Sequence, residues 1–106
     1  MTPENYARFV DVMGIRPRLS YDLDCSLASM GIAGEMGEMI DVVKKTVFHQ
    51  LPLDREKFIE EAGDGLHYFI QMLNANGVTL QEVIDGNVTK LQKRYPNGWV
   101  PGGGIR

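Results

Sequence analysis

Gly31–Leu66 reads GIAGEMGEMIDVVKKTVFHQLPLDREKFIEEAGDGL, and the spacing of its acidic and apolar residues decides the fold. Place successive residues about 100° apart, with Glu35 at zero. Met39, Ile32, Val43, Met36, Val47, Ile40 and Ala33 then fall in an arc from about 40° to 160°, and Glu38 lies near 300°. The same exercise from Glu61 puts Met72, Phe58, Phe69, Ala62, Leu73, Leu66 and Ile59 at about 20° to 160°, with Asp64 again near 300°. Two helices are therefore expected to carry an acidic pair on the same edge of an apolar face.

The segment Phe48-His-Gln-Leu-Pro-Leu53 between them suits an antiparallel pair of neighbours in a bundle. A two-fold axis relates such helices, so equivalent edges point to one side. The depths agree as well. At a rise of about 1.5 Å per residue, the first pair lies about 16 Å before the loop and the second about 13 Å after it. Glu35, Glu38, Glu61 and Asp64 are thus expected to face one space. Four carboxylates so placed repel one another unless a cation sits between them or their pKa values rise. Hard oxygen donors favour magnesium, with manganese as the alternative, over zinc.

Composition bounds the rest. The 106 residues make one domain, 43% hydrophobic and 24% charged, which is ordinary globular material. A net charge of −3 offers no basic footprint for nucleic acid. The single cysteine, Cys25, excludes an internal disulfide, fits a reducing compartment and is expected to pack as a small hydrophobe. No apolar run approaches the ~20 residues of a membrane span, and no signal peptide opens the chain, so no membrane partner and a cytoplasmic location are expected.

Caps and breakers divide the chain into an all-α, four-helix-bundle-like domain over residues 1–96 and a glycine-rich tail over 97–106. Thr2-Pro3 starts a short helix to about Met13, which Gly14-Ile-Arg-Pro-Arg18 breaks. A long helix is expected from Asp22 or Asp24 to Val47. Asp54 caps a third, running to about Ala75 before Asn76-Gly77. Thr79-x-x-Glu82 is a capping box for a fourth, which ends near Arg94.

Gly31, Gly34, Gly37, Gly63 and Gly65 lie inside predicted helices beside the acids, each costing about 1 kcal/mol relative to alanine. Close helix packing and room for a bulky anionic ligand both account for them. On the fourth helix Asn87, Lys90 and Arg94 form a polar stripe at i, i+3 and i+7, with Lys93 beside it. Such cations complement a helix dipole, and near a metal-loaded acidic site they also suit a polyphosphate. Lys44 and Lys45 admit the same two roles. Asp41 and Glu60 read as solvated carboxylates, and Tyr68 as a packing residue near the acidic edge.

The ordered combination Gly31-Ile-Ala-Gly-Glu-Met-Gly-Glu-Met39 with Lys44-Lys45, Glu60-Glu-Ala-Gly-Asp64, Asn87-x-x-Lys90 and Arg94-Tyr-Pro96 resembles the MazG-like nucleoside triphosphate pyrophosphohydrolases, of the all-α NTP pyrophosphatase superfamily. The resemblance covers about residues 27 to 96. It implies magnesium-dependent cleavage between the α and β phosphates, and a homodimer or homotetramer with sites near subunit contacts. Glu35, Glu38, Glu61 and Asp64 match the family's metal-binding, catalytic acids, and Asn87, Lys90 and Arg94 match positions associated with substrate phosphates. Gly65 departs from the pattern, which usually has a hydrophobic residue such as valine there. The alternative is a non-catalytic helical module that binds nucleotide or a partner. A di-iron bundle is disfavoured because it wants two Glu-x-x-His motifs, and the chain has only His49 and His67.

Overall fold

The computed structural model describes residues 1–14, 19–99 and 101–102. Four helices follow in order, α1 Pro3–Met13, α2 Tyr21–His49, α3 Arg55–Ala75 and α4 Leu80–Arg94, with no strand among the described residues. The all-α expectation holds. Residues 15–18, where the break after α1 was expected, lie outside the described residues, as do residue 100 and residues 103–106 of the tail.

The caps show why each helix starts where it does. Thr2 accepts the Asn5 N–H with Pro3 at the first helical position, Asp54 accepts the Lys57 N–H, and Thr79 and Glu82 form a reciprocal capping box. For α2 the expected start at Asp22 or Asp24 was late. Ser20 is the cap, accepting the Leu23 N–H, and the two aspartates occupy the first turn, where they favour the helix dipole. The helix also runs on to His49 and stops at Gln50, whose φ of 54° turns the chain left-handed. Only residues 50–54 separate α2 from α3.

That short loop folds α2 back along α3, and this hairpin is the largest interface in the molecule. Here the expected seam shifts. The face of α2 turned toward α3 carries Glu35 among half-buried or buried Gly31, Ala28, Val42 and Met39. Much of the expected apolar arc stays outside: Met36, Ile40, Val43 and Val47 are exposed on α2, as are Ile59 and Leu66 on α3. Glycine explains the shift. A Cβ at Gly31 would lie 2.5 Å from the Tyr68 ring, and one at Gly65 would press Met36 Cε at 3.2 Å and Glu35 Cβ at 3.6 Å. The helices approach along their small residues, carrying Glu35 and Glu61 into the seam. Among the described residues, nothing beyond the adjacent residues and the helix's own backbone lies within 4 Å of a Cβ built at Gly34, Gly37 or Gly63, so close packing does not account for those three.

α1 packs on α3, with Val10 fully buried and the Asn74 side-chain amide donating to the Ala7 carbonyl at 3.0 Å. α4 rests chiefly against α1, leaving Ile84, Val88 and Leu91 exposed along one side. The outcome is open, with a radius of gyration of 17.1 Å, against about 13 Å for a compact chain of ~100 residues.

Candidate metal centre

The centre is built on the middle of the hairpin. Glu35 leaves α2 and Glu61 and Asp64 leave α3, and one carboxylate oxygen from each lies within 4.8 Å of the others. Antiparallel pairing brings residues so distant in sequence to one depth. Glu61 is 94% buried by its 6% exposure, Glu35 is half-buried and Asp64 faces solvent, so the cluster opens outward through the aspartate. Glu38 is exposed and stands outside this tight trio, yet its charge reaches both Glu35 and Lys57.

The electrostatics report an incomplete site. Glu35 Oε2 is enclosed and has no hydrogen-bond partner among the described residues. Its neighbour is the Glu61 carboxyl, and two ionised carboxylates have no donor to share. Only a proton or a cation closes the contact. The hydrogen bond to Glu61 that a shared proton would make, then loss of water and the charges of Asp64, Glu61 and Glu38, push Glu35 up to about 7. Glu61 moves the other way. The Lys57 ammonium, 2.9 Å from Glu61 Oε1, and then the Glu35 hydrogen bond hold it below its ordinary range. An enclosed oxygen without a donor, inside a set of hard oxygen ligands, fits a divalent cation such as magnesium or manganese.

The remaining expected residues fall apart from this trio. Asn87 and Lys90 are exposed and Arg94 half-buried on α4, which packs chiefly against α1; the cation beside Glu61 is Lys57. Lys44 and Lys45 both pair with Asp41, at 3.2 and 3.6 Å. Tyr68 covers Gly31 and meets His67 edge to face at 5.7 Å, while His67 Nε2 lies 3.1 Å from the Gln71 amide. Neither histidine joins the trio. Cys25 is half-buried and receives a long contact from the Asn76 amide at 3.9 Å.

Two residues near the centre were missed. Lys57 stands one turn before Glu61, and its i, i+4 spacing was a signal open to reading. Tyr6 of α1 was not readable, because its closeness to Asp64 depends on how α1 docks; burial and then the Asp64 charge push its hydroxyl up.

The two helices of an all-α hairpin thus bring three carboxylates around one space that could hold a metal ion. Residues 26–99 match the MazG nucleotide pyrophosphohydrolase domain, and the chain belongs to that family. It is also 34% identical over 83 residues to the Gene 37 protein of Mycobacterium phage L5, covering 74% of this chain and 73% of that protein. No solved structure matches. The family match begins inside α2, so α1 lies outside it. No helix among the described residues is long and apolar enough to cross a membrane.

Proposed function

We propose that the chain hydrolyses a nucleoside or deoxynucleoside triphosphate between its α and β phosphates, releasing a nucleoside monophosphate and pyrophosphate. The observation that carries this reading is the Glu35–Glu61–Asp64 trio with its enclosed, donorless oxygen, within a MazG domain. Glu35, Glu61 and Asp64 are the residues that would hold magnesium, with Glu38 at the rim. When bound, the metal supplies charge neutralisation at the phosphoryl oxygens.

The protein's own groups do the rest. Glu61 is held ionised by Lys57 and enclosed by the seam around it, so it presents a charged oxygen to the site. Glu38, exposed beside the trio, takes the proton of the water that attacks phosphorus, while the bond to the pyrophosphate leaving group breaks in line. Asn87, Lys90 and Arg94 serve the substrate phosphates in a homodimer or homotetramer. The open apolar stripe of α2 and α3 supports such an assembly, and the distance of α4 from the hairpin makes a second copy the natural place for its cations to act.

The test is pyrophosphate release from a panel of NTPs and dNTPs with magnesium or manganese. Glu38→Ala and Asp64→Ala are expected to abolish release with helical circular dichroism unchanged. Near-normal release from either variant would move the site elsewhere. Binding without release from any substrate, with both metals tried, would favour the non-catalytic nucleotide-binding module.

A further inference from the structure

The acidic centre contains a cation of its own. Lys57 Nζ lies 2.9 Å from Glu61 Oε1 and 3.8 Å from Glu60 Oε2. The two partners differ in kind. The Glu61 side chain is only 8% exposed, whereas Glu60 is 63% exposed and Lys57 is 47% exposed on a long, flexible stem. A buried carboxylate left alone is costly, so an ionised Glu61 needs a cation beside it. An exposed ion pair such as that with Glu60 is worth little and is easily made or broken. Lys57 therefore has a strong position at Glu61, and a second carboxylate within reach when that position is taken.

We infer that Lys57 is an exchangeable counter-ion: it fills the charge requirement of Glu61 before metal arrives, yields that oxygen to a divalent cation, and swings to Glu60. The inference rests on the reading of Glu35, Glu61 and Asp64 as a divalent-cation site. Lys57 then acts through Glu61, as a positioning residue that keeps the buried acid ionised and aimed while setting how tightly the bare metal binds. Its displacement opposes loading, because the ammonium and the incoming cation compete for one oxygen.

The experiment titrates the full-length protein with Mn2+ alone, by calorimetry or by the paramagnetic resonance signal of the free ion. Lys57→Met removes the competitor but leaves the stem, and is expected to tighten Mn2+ binding about tenfold. Lys57→Arg restores a cation and should return the affinity to that of the unaltered protein. A Lys57→Met affinity that is unchanged or weaker would overturn the exchange, because a mere structural strut does not compete with metal. If Lys57→Met does not fold, the unaltered protein carries the test. With isotope-labelled lysine, the side-chain resonance that Lys57→Arg deletes should move as Mg2+ is added, and a resonance that stays fixed at saturation would overturn the proposal. Asp64→Asn separates the two failures. Loss of Mn2+ binding in Asp64→Asn with no effect of Lys57→Met sinks the counter-ion alone, whereas equal binding with and without Asp64 sinks the cation site beneath it.

Discussion

Glu35 carries the clearest consequence at the scale of single residues. Its folded pKa of about 7 lies above the ordinary carboxylate value of 4.5, so the folded state holds a proton that the unfolded chain has released between those limits. With more protons bound folded than unfolded, stability must fall as pH rises from about 4.5 to 7. Glu61, held low by Lys57, contributes in the opposite sense and only at acid pH, its stabilisation being lost as pH falls below 4.5. Melting curves in a metal chelator should therefore show a Tm that declines from pH 5 to pH 8. Glu35→Gln should flatten that decline, and saturating Mg2+ should abolish it. A Tm in chelator that rises across this range would refute the shared-proton description. Metal binding at pH 6 should also release protons, measurable as a buffer-dependent heat, because the ligand must ionise.

For the helical elements, the glycines divide by what surrounds them. Gly31 is required by contact, since an added methyl would meet the Tyr68 ring, whereas Gly34 faces open space. Gly31→Ala is expected to destabilise by about 1–3 kcal/mol through overpacking. Gly34→Ala is expected to stabilise by about 1 kcal/mol through helix propensity alone. Urea denaturation of both variants checks the opposite signs. The same division shows how much of the fold was legible. Caps such as Thr2, Asp54 and the Thr79–Glu82 box are local chemistry, and they placed three helix starts. Helical periodicity brought Glu35, Glu61 and Asp64 to one depth before any contact was known. It failed on which face of α2 is buried, because it ranks faces by hydrophobicity while closest approach is set by the absence of side chains at Gly31 and Gly65. The position of α4 was illegible for a related reason. Its cationic stripe reads the same whether it faces its own hairpin, solvent or another copy.

Across the whole molecule, the apolar surface outweighs what one chain covers. Met36, Ile40, Val43 and Val47 form one stripe on α2, with exposed Ile59 and Leu66 on α3. Burying a side chain of this size is worth about 1.5–3 kcal/mol, so a second copy closing over the stripe gains more than a peripheral contact would. Sedimentation velocity is expected to show a dimer or larger assembly at micromolar concentration, and Ile40→Glu should shift it toward the monomer. Pyrophosphate release should fall with that dissociation if α4 of one copy serves the acids of another. A monomer in the unaltered protein would leave Asn87, Lys90 and Arg94 without the role assigned to them.

The loop over residues 50–54 also sets an order of events in time. Closing so short a connection costs little chain entropy, so α2 and α3 can find one another early and locally. The tie between Asn74 and Ala7 spans 67 positions, and α1 must search much farther before it is rewarded. The acids are therefore gathered while α1 is still unattached. The helix lying outside the family match docks onto a hairpin whose carboxylates are already gathered, and α4 follows it.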